Sequence, residues 1–471
     1  MHKKYTILYS LLILALFTKS LCAHPLTIQL DFPEHRNDTV VLAHYYNGKI
    51  FANDTIVLNE NGKGQFSGNE LLPEGIYTLY FDANQLQDFL LGNDQSLSIS
   101  KEAKKIKVSK AKESQQFQTY VDYLKDQKAK AKILKEKLQE LPKSSDSVKV
   151  LNQKLTELDN EVQAYWKKEA KKYDDTFYGK FVASNIRVQL NESELPKEIR
   201  ANDSLLWINR YQFNKNHYWD YFDLFDKRMW RTPTIHNHLD HYFSQVLIQH
   251  PDSVLPVAIE LIEQGKSEPE IFQNLTAYIL NNSVQSHYMG MESVFVALAE
   301  KYYLSGDAFW ASEKTLETIR REVYLRKNNL IGETAHELLL EDPDGEYHSL
   351  HQISTPYTLL AFWEPNCGHC KKQIPELFEK VFMEIDPSAL TIMAVNTQDN
   401  KREWLDFIEE HELNGWINVW DPNRVSNFQI NYNTRTTPML YLLDKDKKII
   451  VKKLTVDQAR KIILEKTTTN Q

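Results

Sequence analysis

Three rhythms of apolar residues follow one another along this 471-residue chain, and no single layered core accommodates all three. From residue 24 to about 105, short apolar runs alternate with turn signals. Leu26–Phe32, Thr39–Tyr45, Thr55–Leu58, Gly64–Phe66, Ile76–Phe81 and Leu97–Ile99 are separated by turns such as Asn47-Gly48, Asn61-Gly62 and Pro73-Glu74-Gly75. This pattern predicts a small all-β domain, a sandwich or a barrel. From 106 to 330 the spacing lengthens and predicts an α-helical domain. Phe117, Val121, Leu124, Ala131 and Leu138 recur near heptad intervals, as do Leu151, Leu155, Leu158, Val162 and Tyr165 beyond Pro142-Lys143-Ser144-Ser145. Two antiparallel helices joined at that turn are expected, with their many Lys and Glu residues forming a solvated face. Further helical patterns cover 254–263, 271–280, 292–303 and 308–326. From 331 to 471 the elements alternate: strands at 357–363, 390–396, 439–443 and 449–451, helices at 368–383, 401–411 and 456–466. A mixed sheet flanked by helices, an α/β fold, follows.

The chain carries 56 basic and 64 acidic residues, a net charge of -8, so it has no basic excess with which to neutralise a phosphate backbone. Nucleic-acid binding is disfavoured. Residues 1–23 read as an export signal: His2, Lys3 and Lys4 form a positive end, Ile7 to Phe17 an apolar core, and Ser20-Leu21-Cys22-Ala23 a cleavage region. The apolar run is short for a membrane span, which needs about 20 residues. Cys22 as a lipidated anchor is the other reading, disfavoured by Leu21 and Lys19. An exported, periplasmic chain is the expectation.

Beyond the signal only Cys367 and Cys370 remain, too few to staple domains of this size, so the pair reads as catalytic. Cys367-Gly368-His369-Cys370 lies where a strand hands over to a helix. A helix N-terminus presents unpaired N–H groups and partial positive charge, which favour a thiolate at the leading cysteine. Cys367 is the expected nucleophile; Cys370, one turn inward, then attacks the mixed disulfide and releases the reduced partner. A protonated His369 adds positive charge beside the thiolate and makes the pair more oxidising. A zinc site is the alternative for any C-x-x-C, but no second such motif completes it. No metal or other cofactor is called for.

Phe362-Trp363-Glu364-Pro365-Asn366-Cys367-Gly368-His369-Cys370-Lys371-Lys372-Gln373-Ile374-Pro375 resembles the active-site segment of the secreted bacterial TlpA/ResA-type thioredoxin-like proteins. Thr436-Thr437-Pro438-Met439-Leu440-Tyr441 is similar to the loop that carries that fold's cis-proline. The resemblance implies a thioredoxin fold over 331–471, with Pro438 opposite the cysteines, the Thr437 backbone pairing with substrate, Trp363 beneath the motif and contributing to the substrate site, and Pro375 kinking the first helix. It also implies protein thiols and disulfides as substrates and a membrane thiol-disulfide electron donor. More loosely it covers the whole chain: similar three-part proteins carry β and helical domains ahead of the redox module, and His217-Tyr218-Trp219-Asp220-Tyr221-Phe222-Asp223 with Asp226, Arg228, Arg231, Thr232 and Pro233 looks like the helical domain's signature. Two departures stand out: Ala361 and Gln373 occupy the positions where such proteins place a buried carboxylate. Glu364 is the nearest acid in sequence and the candidate proton shuttle.

Other clusters read as structural. His236, His238 and His241 have no partner pattern for a metal. The aromatic run from Trp207 to Trp230 reads as core. Asp342-Pro343-Asp344-Gly345 and Asp444-Lys445-Asp446 read as hairpin turns. A peroxiredoxin needs a threonine three residues before its cysteine, where Glu364 stands. The functional expectation is therefore a thiol-disulfide oxidoreductase that reduces or isomerises disulfides of exported proteins. The alternative is a partner-binding protein with a vestigial redox domain.

Overall fold

A computed structural model describes residues 25–468 apart from 83–84, 103–104 and 143–144. The export signal, Cys22 and part of the Pro142–Ser145 turn lie outside the described residues. The chain divides into two compact units, Met1–Leu247 and Ile248–Gln471.

The first unit begins with eight strands: β1 (Leu26–Asp31), β2 (Thr39–Tyr46), β3 (Lys49–Val57), β4 (Lys63–Gly68), β5 (Gly75–Asp82), β6 (Gln85–Leu91), β7 (Ser96–Glu102) and β8 (Lys105–Lys110). They form two four-stranded sheets in the orders β4-β1-β7-β8 and β3-β2-β5-β6. Alternate residues of each sheet, among them Ile28, Leu30, Val40, Leu42, Tyr77, Leu79, Phe89, Leu97 and Ile99, share one buried cluster, as a two-sheet sandwich requires. Asn47 and Gly48 both adopt positive φ and make the two-residue hairpin between β2 and β3. The sequence pattern missed β6 and β8. Only the last three residues of β6 are buried, and β8 alternates with lysines, so neither shows a clean apolar run.

Helices Lys112–Gln139 and Asp146–Lys172 run antiparallel, with Tyr123 stacked on Tyr165 at 3.9 Å and Leu134 sharing a groove with Leu158. Their fully buried residues lie toward one end: Ser114, Phe117, Gln118, Tyr120 and Gln127 on the first helix and Gln163 on the second. Aromatics after Trp207 divide. Phe222 and Trp230 are core, whereas helix Asp203–His217 buries nothing and leaves Trp207 55% exposed, a correction to the all-core expectation. The segment around Arg228 fastens this region to the sandwich: Arg228 pairs with Asp226 and Glu74, Arg231 lies over the Tyr46 ring, and the Trp230 carbonyl accepts the Asn47 N–H. His236 bonds to Asn47, and burial holds His238 down to about 4; among the described residues no group of His, Cys, Asp and Glu side chains could hold a metal ion.

The second unit opens with helices Pro251–Gly265, Pro269–Gln285, Glu292–Leu298 and Glu313–Lys327. Seven strands follow: β9 (Leu339–Glu341), β10 (Tyr347–Ser349), β11 (Tyr357–Trp363), β12 (Leu390–Asn396), β13 (Ile417–Trp420), β14 (Met439–Leu443) and β15 (Ile449–Lys452). The sheet order is β10-β9-β13-β12-β11-β14-β15, with β11, β12 and β13 parallel and the flanking strands antiparallel. Apolar clusters cover both faces, which is why β11 reads as a continuous apolar run rather than an alternation. Asp342–Gly345 and Asp444–Asp446 are the turns of the β9–β10 and β14–β15 hairpins. No described helix is long and apolar enough to cross a membrane.

Candidate active site

Central strand β11 delivers the motif: it ends at Trp363, and Glu364 to His369 lead into helix Cys370–Leu377, which contains Pro375. This helix has no oxygen cap at its N-terminus. The Cys367 sulfur serves instead, accepting the backbone N–H of Cys370 at 3.4 Å. In its protonated form Cys367 donates to the Thr437 carbonyl at 3.3 Å. Both cysteines are free thiols. The two differ electrostatically. Partial burial works against charge on Cys367, but the Cys370 and His369 backbone, with the Cys370 and Thr437 side chains, outweighs it and holds the thiol below its ordinary range. Cys370 has no exposed surface, and burial pushes its thiol up to about 12.

Thr437-Pro438 is a cis peptide bond in the loop facing the cysteines. The Thr437 hydroxyl donates to the Glu364 carboxylate at 3.1 Å, and Gln398 donates to the same carboxylate at 3.0 Å. Glu364 thus ties together the loops before Cys367, after β12 and before β14. Its carboxylate reaches the Thr437 side chain, while its backbone meets the Cys370 thiol and opposes the rise that burial causes there. Asn366 reinforces the same corner through Gln398 and Glu403. Sequence reasoning did not single out Gln398. Its signal is topological: β11 and β12 are parallel neighbours, so the residues just past their C-terminal ends meet.

Trp363 requires a correction. It is fully buried beneath the motif, 4.9 Å from the Phe407 ring, and so supports the cysteine loop from inside instead of touching a substrate. Gly368 and His369 are exposed, and a Cβ built at Gly368 would meet nothing within 4 Å. Cys367 itself is partly exposed, beside this open surface.

Residues 331–452 match the AhpC/TSA family. The chain is 26% identical over 119 residues to the thiol-disulfide oxidoreductase ResA of Halalkalibacterium halodurans, covering 25% of this chain and 65% of that protein, just under two thirds of its length. It is 27% identical to the ResA of Geobacillus thermodenitrificans, covering 28% of this chain and 74% of that one. Among solved structures, a domain of a possible thiol-disulfide isomerase from Cytophaga hutchinsonii shares 33% identity with a TM-score of 0.28, covering 30% of this chain and 97% of the domain.

Proposed function

We propose that this chain, whose C-terminal domain is a thioredoxin-like thiol-disulfide oxidoreductase domain of the TlpA/ResA type, reduces or isomerises disulfides of exported proteins through Cys367 and Cys370. The observation that carries this reading is the inequality of the two thiols on one helix end: one partly exposed with a depressed pKa, the other buried with a raised one. Cys367 thiolate attacks a substrate disulfide, forming a mixed disulfide and expelling the substrate's second sulfur as a thiolate, which takes up a proton. Cys370 then loses its proton and attacks the Cys367 sulfur, closing the Cys367–Cys370 disulfide and releasing the substrate's other sulfur as a thiolate. Glu364, acting through the Thr437 hydroxyl, is the proposed acceptor of the Cys370 proton. The open face at Gly368, with Thr437 and Pro438 beside it, receives an extended segment of the substrate. An exported location and a membrane thiol-disulfide donor that re-reduces the pair complete the proposal. His369 biases the pair toward oxidation, between a dedicated reductase and an isomerase.

The test combines two measurements. Insulin reduction driven by dithiothreitol should exceed the dithiothreitol control, and Cys370→Ala should leave mixed disulfides on Cys367 identifiable by mass spectrometry. A protein that fails both is a binding protein with a vestigial redox domain.

A further inference from the structure

The loop that faces the cysteines is held from outside the thioredoxin sheet. Glu322, on helix Glu313–Lys327, makes a two-pronged ion pair with Arg435: Nη1 to Oε1 at 3.0 Å and Nη2 to Oε2 at 3.0 Å. Arg435 lies two residues before Thr437. The same Glu322 is fixed on its own helix by Arg326, one turn on, and its carboxylate stays ionised down to about pH 2 because of Arg435, against the cost of partial burial, and Arg326. A second grip lies four residues earlier. Fully buried Asn329 donates to the Asn431 carbonyl at 3.0 Å and to Leu325 at 2.8 Å, while accepting from Lys452 at 2.5 Å. Within the loop, Arg435 Nε donates to Asn433 Oδ1 at 2.8 Å, and Asn433 takes a left-handed backbone. The stretch Asn431–Arg435 is thus pinned at both ends to the helical segment, and the next residues present the Thr437 carbonyl to Cys367.

We infer that helix Glu313–Lys327 sets the position of the Thr437-Pro438 loop through the Glu322–Arg435 pair, making these two positioning residues for disulfide exchange. A planar, bidentate guanidinium–carboxylate pair fixes direction as well as distance, which a flexible loop needs if its carbonyl is to meet a sulfur. Releasing it lets the loop move away from Cys367. Substrate pairing then weakens, and the Cys367 sulfur loses its contact with the Thr437 carbonyl, which shifts its titration. The inference rests on the oxidoreductase reading above, but one of its two measurements, the alkylation profile, does not.

Full-length Arg435→Gln and Glu322→Gln are compared with wild type in two assays: the pH profile of Cys367 alkylation in the reduced protein, and KM and kcat for insulin reduction. Each variant should shift the alkylation midpoint by about half a pH unit or more and raise KM by about 5-fold with kcat nearly unchanged, a uniform-binding loss. The double variant should be no worse than either single one, because the residues act as one pair. Arg435→Lys should recover part of the loss. If Arg435→Gln alters KM while a folded Glu322→Gln matches wild type in both assays, Arg435 touches substrate itself and the inference falls. It also falls if Arg435→Gln leaves the alkylation profile and KM unchanged, or if the single effects add. Should Glu322→Gln fail to fold, the alkylation profile of Arg435→Gln still decides, since no substrate is present in that assay and Glu322 stays paired with Arg326: a shifted midpoint supports the inference and an unshifted one overturns it. A wild-type protein inactive on insulin overturns the oxidoreductase reading, while the alkylation profile still reads the loop.

Discussion

Reacting the reduced protein with iodoacetamide at pH 7 separates the two thiols, and the structure sets the size of the difference. Cys370 has a pKa of about 12, whereas Cys367 lies below the ordinary thiol value of 9.0. At pH 7 the Cys370 thiolate fraction is about 10⁻⁵ and that of Cys367 exceeds about 10⁻², a ratio of at least about 1,000. The more basic thiolate is intrinsically more nucleophilic; with a slope of about 0.4–0.5, three pKa units return about 15–30-fold of that. A net preference of at least about 30-fold for Cys367 remains. Occlusion adds to it, since Cys370 has no exposed surface. The assay follows carboxamidomethylation of the two positions by mass spectrometry, using Cys367→Ser and Cys370→Ser variants as single-thiol controls. The sign of the pH dependence is fixed too: the Cys367 rate rises about tenfold per pH unit up to its depressed pKa and then levels off, whereas the Cys370 rate still climbs beyond pH 10. A preference below about tenfold, or a faster Cys370, would refute the assignment of nucleophile and resolving thiol.

Three further outcomes are expected. The reduction potential, measured against glutathione buffers, should fall between about -180 and -270 mV, and His369→Pro should lower it; a value near -120 mV would contradict a reductase or isomerase. Glu292→Gln removes the carboxylate that pairs with Lys452, a lysine 5% exposed, at 2.5 Å. It should cost about 3–5 kcal/mol in urea unfolding of the full chain, and a loss under about 1 kcal/mol would show that Asn329 alone suffices to hold the buried ammonium. Because burial raises the Cys370 pKa, the fold favours its protonated form, so this thiol's contribution to the reduced protein's stability is full below the ordinary value of 9.0 and falls by up to about 1.4 kcal/mol per pH unit between there and about 12. Cys370→Ala should remove that component of the slope, and an unchanged slope would show that the thiol is not buried as described.

Elements with a strong local signal were legible in the sequence. β11, β12 and β14 span the residues the sequence predicts, because strands buried on both faces carry nearly continuous apolar runs. The short strands β9 and β10, three residues each, have no room for a period, and β13 is set by its pairing with β12. The helix read over 368–383 is α only from Cys370 to Leu377 and continues as a π turn over Phe378–Phe382, a backbone change that no side-chain pattern announces. At the site, the two cysteines were legible from the motif, and Pro438 only from the resemblance of its loop to the thioredoxin cis-proline loop. The surroundings of Glu364 were not, since its partners Gln398 and Thr437 lie 34 and 73 residues away. The Glu322–Arg435 pair spans 113 residues and was equally invisible.

The antiparallel hairpin Lys112–Gln139 and Asp146–Lys172 has its fully buried residues gathered toward one end, while seam residues Leu134, Leu138, Leu151, Leu155 and Leu158 are only half-buried. Its length is therefore an adjustable dimension. Deleting one heptad around Leu134 together with one around Leu158 would shorten the arm by about 10 Å and leave the seam in phase. The aromatic base of Phe117, Tyr120 and Tyr123 against Phe181, Tyr178 and Tyr165 would be untouched. Matched insertions obey the same rule. The arm's length can thus change by paired seven-residue steps at little thermodynamic cost, whereas an unpaired deletion leaves the longer helix's half-buried leucines with no facing seam.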